Sequence, residues 1–226
     1  MYSKPVAALL LVLSLPQAAV AALSPARFDH PEKSLLRLMV FPELRGDATA
    51  RLRCASQVDR KGRMQKTGCY LNTAGDEVYV APIVKAAKKA RMIPATNNGE
   101  PFGVYVQFQV EFKKAGDEKT IRILNNPGLQ ENVEAYGEEY IAPQRGLATD
   151  HFTSVCPKRA RYLVWAKAYV GPEGDHSNYS IVPGEGAPIT EKCRAAIIAT
   201  LRDSIFTPAM VDGEPAPSSF IEPFGN

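Results

Sequence analysis

The chain has 226 residues, a formal net charge of +3 and 45% hydrophobic residues. This composition fits one or two globular domains and excludes a disordered chain. Near-balanced acids and bases exclude the strongly basic face with which proteins hold nucleic acid.

In chain order, residues 1–21 read as a secretory signal: Lys4 supplies the positive start, Ala7 to Leu15 the apolar core, and Ala19-Val20-Ala21 the small-residue cleavage signature. Ser14 and Pro16 stop the apolar run short of the ~20 residues a spanning helix needs, so cleavage is expected and the mature protein starts near Ala22. The expected location is the periplasm. Cys54, Cys69, Cys156 and Cys193 all lie beyond the signal and enter an oxidising compartment, where an even count fits two disulfides. None forms a C-x-x-C pair, and their spacings do not resemble zinc-ligand pairs.

Residues 51–58 and 64–71 flank Asp59-Arg60-Lys61-Gly62-Arg63, a turn with a glycine available for positive φ, and predict a hairpin. If Cys54 faces Cys69, Leu52 falls opposite Leu71 and Val58 opposite Gln65; a three-residue turn with a glycine bulge would shift the register by one. Val80, Ile83, Val84, Ala87 and Ala90 recur at helical spacing, with Lys85, Lys88, Lys89 and Arg91 on the other, solvated face, predicting a helix over 80–91. Pro94 and Gly99 punctuate an extended segment. The clearest strand follows, where Val104, Val106, Phe108, Val110 and Phe112 alternate with Tyr105, Gln107, Gln109 and Glu111. Between Lys113 and Asp150, Asn125-Asn126-Pro127-Gly128 forms a turn and Glu131 to Glu139 an acidic stretch, so 115–150 reads as a linker or extension.

The same order then recurs. Ile93-Pro94-Ala95-Thr96-Asn97-Asn98-Gly99-Glu100-Pro101 echoes Thr207-Pro208-Ala209-Met210-Val211-Asp212-Gly213-Glu214-Pro215. Residues 163–169 and 178–182 flank Gly171-Pro172-Glu173-Gly174 as a second hairpin, and Thr190 caps a helix with Cys193, Ile197, Leu201 and Ser204 on one face. Residues 218–222, bracketed by Pro217 and Pro223, suit only a short edge strand. The expected fold class is α+β, built of two β-β-α-β units, each a small antiparallel sheet with one packed helix. The first spans 30–114 and the second, degenerate, 151–226.

These residues resemble the TonB C-terminal domain family. Phe41-Pro42 stands for its aromatic-Pro start, Asp59 with Gly62-Arg63-Met64 for its turn, Ile93-Pro94-Ala95 for the segment after the helix, and Val104 to Phe112 for its final strand. In the second unit, Cys156-Pro157-Lys158-Arg159-Ala160 resembles the start and Phe206-Thr207-Pro208-Ala209 the later segment. The resemblance implies that an extended peptide of an outer-membrane receptor or other envelope protein pairs with the edge at Val104, Tyr105, Val106, Gln107, Phe108, Gln109, Val110, Glu111 and Phe112, with backbone groups giving affinity and alternate side chains giving selection. Energy-transducing members resemble a retained membrane helix joined to a Pro, Lys and Glu-rich spacer, whereas this chain has an expected cleavable signal and no such spacer; the alternative readings are a transducer with an uncleaved N-terminal anchor and an unrecognised envelope enzyme.

His30, His151 and His176 each follow an aspartate, but adjacent side chains diverge, so surface loop histidines are expected. Without a hydrolase, zincin, Walker or dinucleotide motif, no catalytic residue, metal, cofactor or small-molecule substrate is expected. Trp165 lies on an alternating strand and reads as core or interface. Disulfides are expected from Cys54 to Cys69, facing positions of one hairpin, and from Cys156 to Cys193, tying the start of the second unit to the apolar face of its helix.

Overall fold

Strict alternation over residues 104–112 builds the centre of the molecule. The computed structural model describes residues 23–70, 75–158 and 161–225. In chain order they form β1 (Leu23–Ser24), α1 (Leu35–Leu38), β2 (Ala48–Val58), β3 (Met64–Tyr70), α2 (Glu77–Ala87), β4 (Ala95–Asn97), β5 (Glu100–Phe102) and β6 (Val104–Ala115). Then come β7 (Glu118–Leu124), α3 (Gln130–Tyr136), β8 (Gln144–Gly146), β9 (Tyr162–Val170) and β10 (His176–Gly186). The chain closes with α4 (Glu191–Arg202), β11 (Phe206–Thr207), β12 (Ala209–Val211), β13 (Glu214–Ala216) and β14 (Ser218–Gly225). One sheet runs β11-β8-β6-β2-β3 with β7 also paired to β6; a second runs β10-β9-β14; β1-β4-β5 and β12-β13 are small. The fold is α+β with antiparallel sheets. Among the described residues no helix is long and apolar enough to cross a membrane, and residues 1–21 lie outside them.

Each large sheet buries one face under a helix. The apolar residues of β6 pack with Leu52 and Val58 of β2 and with Ile83, Ala86 and Ala87 of α2, because period 2 on the strand and period 3.6 on the helix each gather apolar residues on one side. In the second core, Val164, Ala166 and Ala168 of β9 meet Cys193, Ile197 and Leu201 of α4 and Phe220 and Phe224 of β14. Thr190 accepts from the Cys193 amide and caps α4. Matching elements are evenly spaced: Glu77 and Glu191 open helices, Ala95 and Ala209 short hairpins, Val104 and Ser218 closing strands, each pair 114 residues apart. Asn98-Gly99 and Asp212-Gly213 turn those short hairpins with positive φ at all four residues.

Both disulfides are present, Cys54 to Cys69 and Cys156 to Cys193, as suits an oxidising compartment. The hairpin register matches expectation only near the cysteines. Cys54 pairs with Cys69, but a bulge intervenes and Val58 faces Met64 instead of Gln65; Lys66 takes a φ of 49° there. Leu71 lies outside the described residues. Helix α2 starts earlier than 80, which adds Tyr79 to the buried face, and ends at Ala87. Five residues beyond it the Met92 amide donates to Gly62 O in the hairpin turn, and a Cβ at Gly62 would lie 2.0 Å from Met92 O, so only glycine fits there. Residues 115–150, expected as a linker or extension, hold β7, α3 and β8. β14 runs to Gly225, longer than expected, because Pro223 sits where no ladder donor is needed.

Candidate functional site

The expected docking edge is closed. β6 pairs with β2 from Val104 to Lys114 on one side; on the other, β7 covers Gln109 to Ala115 and β8 covers Val104 and Tyr105. At the gap between them, the Gln107 side-chain amide donates to Ile221 O of β14. The nine residues 104–112 therefore form an interior strand, a correction to the edge reading. Its cause is the Gly116-Asp117 turn, in which Gly116 takes a φ of 58° and its amide donates to Asp47 Oδ1 at 2.8 Å. The chain supplies its own added strand. Gly-Asp between two strand-like runs was the available signal.

Edges elsewhere are blunted, as folded proteins require. On β14, Asn132 acts as a surrogate strand: its Nδ2 donates to Ser219 O at 2.8 Å and its Oδ1 accepts from Ser219 N at 3.1 Å. Tyr136 donates to Pro217 O, and Pro223 has no N–H to offer. β10 carries two register shifts and Pro183. β3 carries the bulge at Lys66.

β7 is different. Among the described residues no strand pairs with its outer side, which opens into a groove of about 540 Å³ lined by Phe28, Leu36, Ile121, Ile123 and Ile141. Ile121 faces Phe112 and Ile123 faces Val110 across the ladder, so the apolar face of β6 continues outward to this edge. Leu36 on α1 is 46% exposed beside it. Asn125 also lines the groove, and its Oδ1 is buried with no hydrogen-bond partner, an acceptor left for an incoming donor. Arg27 and Arg37 stand at the rim.

A second cavity, of about 590 Å³, lies where the helix-free faces of the two large sheets meet. Tyr70 and Trp165 approach across it, ring centroids 5.7 Å apart and tilted by 51°. Trp165 is thus an interface residue. Behind the rings Arg145 forks onto Glu222, Nε to Oε2 at 2.6 Å and Nη2 to Oε1 at 2.8 Å, both side chains 5% exposed. Burial disfavours the Arg145 cation, but Glu222 outweighs it and the pKa is raised. Burial, then the Glu222 charge, pushes the Tyr105 phenol well above its ordinary value.

Neither a family model, nor a curated protein, nor a solved structure matches this chain. The histidines build no base with their neighbouring aspartates: His151 pairs with Asp203 at 3.0 Å, and His30 accepts from the amides of Glu32 and Lys33. His176 is not in a loop but opens β10, half-buried against Tyr179 and Phe206. Lys85 of α2 and, just past its end, Lys88 and Lys89 are exposed.

Proposed function

We propose that this chain is a periplasmic protein-interaction module, a tandem of two β-β-α-β units akin to the TonB C-terminal domain, and that it binds an extended peptide of an envelope protein by strand addition. The pairing edge is the outer side of β7, one strand beyond the edge that the resemblance implies. One observation carries the reading: among the described residues β7 is an edge with no pairing strand and an apolar groove where the next strand would lie, whereas β14 is capped, β3 and β10 are bulged, and β11 is only two residues long. An added strand at β7 would gain ladder hydrogen bonds along 118–124 and set alternate side chains against Leu36 and Ile123. The even repeat spacing supports the tandem.

The test places a photo-crosslinking amino acid singly at Thr120 on β7, at Tyr105 on β6 and at Ser177 on β10, in cells making the full chain. The expected result is an adduct at Thr120 alone, mapping by mass spectrometry to one continuous segment of an envelope protein. Equal labelling at the three sites, or no adduct at Thr120, removes the reading.

A further inference from the structure

The cavity between the sheets is built symmetrically, and nothing in the docking model uses it. Arg53 of β2 is the direct cross-strand partner of Tyr70 of β3. Trp165 and Lys167, two apart on β9, share one face by the strand period. All four line the cavity, so each wall contributes one aromatic ring and one cation. Among the described residues neither Arg53 nor Lys167 stands in an ion pair with an acid, although Arg53 also lines a neighbouring hollow with Glu134 and Glu138. Glu185, an exposed residue of β10, is the one acid among the residues lining the cavity. The rest of the lining is largely apolar, with Leu129, Leu163, Val182 and Ile221.

We infer that this cavity binds an aromatic carboxylate, its ring lodged against Tyr70 and Trp165 and its carboxylate held between the Arg53 guanidinium and the Lys167 ammonium. Two unpaired cations on facing walls repel, and an anion between them turns that repulsion into two charge-assisted hydrogen bonds. Two rings tilted against each other leave faces for a third ring in offset or edge geometry. A volume of about 590 Å³ suits a small ligand or the last residues of a peptide, within the few-hundred-Å³ range of ordinary ligand sites. The chemistry has two sources, a free aromatic acid or the C-terminal aromatic residue of a peptide. The site is separate from β7 and does not depend on the strand-addition reading.

Trp165 is the only tryptophan, so its fluorescence reports the site directly. The mature protein is titrated with 3-phenylpropionate and with acetyl-Ala-Ala-Phe as the free acid, each beside its carboxamide. At least one acid gives a saturable change, and its carboxamide binds about tenfold more weakly or worse. Arg53→Gln and Lys167→Gln each weaken binding about three- to tenfold, together more, with unchanged melting temperature because both side chains reach solvent. Saturation by 3-phenylpropionate assigns a free acid; saturation by the peptide acid alone assigns a chain terminus. No saturation by either acid up to about 10 mM, equal binding of acid and carboxamide, or wild-type binding by the double variant overturns the inference.

Discussion

Where the first half of the molecule sets Tyr79 on α2 and Phe108 on β6, the second half, at the same 114-residue spacing, sets Cys193 on α4 and Glu222 on β14. Tyr79 and Phe108 are buried rings that fill the first core. Cys193 is bridged to Cys156, and Glu222 is forked by Arg145. At these two pairs of equivalent positions the first half is closed by packing and the second by specific bonds. Packing relaxes partly around a lost group, whereas an ion pair or a disulfide is lost outright. The second half should therefore depend more steeply on single residues.

The largest effect is expected at the buried ion pair. Glu222→Ala leaves Arg145 buried and uncompensated, and a loss of about 3–5 kcal/mol is expected in urea unfolding. The double change Arg145→Met with Glu222→Leu should recover most of it, since paired apolar replacements of buried ions are often neutral. A single variant no weaker than the double one would break the comparison. Next come the staples: replacing Cys156 and Cys193 by alanine should cost about 4 kcal/mol, and replacing Cys54 and Cys69 about 3, because the longer loop loses more chain entropy. The reverse order would show that the first hairpin relies on its bridge more than its packing implies.

Smaller effects sharpen the picture at the seams. Asn132→Ala uncovers the Ser219 amide and carbonyl on the edge of β14, with an expected loss of about 1–3 kcal/mol and a tendency to self-associate, measured by light scattering. An unchanged variant would mean that β14 needs no cap. The smallest effect is on pH dependence. Burial lowers the His176 pKa below 6.5 in the folded chain, so the unfolded chain takes up the proton first. Its contribution is complete above 6.5 and is lost as pH falls through the lowered folded value. His176→Gln should flatten that part of a melting-temperature profile. An identical slope would place the acid sensitivity elsewhere.

Residues 104–112 and the capped helix after Thr190 were legible because their periods are local, and the Cys54 to Cys69 bridge followed from the hairpin of β2 and β3. β7 was not, because Glu118, Lys119 and Arg122 dilute its alternation and hide Ile121 and Ile123. The arm from Leu23 to Phe28 has no local signature at all: it is held by pairing with β4 and by the Gln144 amide, which donates to Ala26 O and accepts from Ala26 N at 2.8 Å across 118 residues. Both candidate sites share that property. The groove beside β7 forms where α1 meets a strand far along the chain, and the ring-lined cavity where two sheets meet, so neither leaves a motif in sequence.

Hydrogen–deuterium exchange of the protein tests the closed β6 and the open β7 together. Amides that point into a ladder on both sides exchange slowly, and those on an unpaired edge exchange fast. The account predicts strong protection throughout Gln109 to Phe112 of β6, which is paired on both sides, and alternating fast exchange along Glu118 to Ile123 of β7. Fast exchange in residues 109–112, together with uniform protection of β7, would contradict it and return the docking edge to β6.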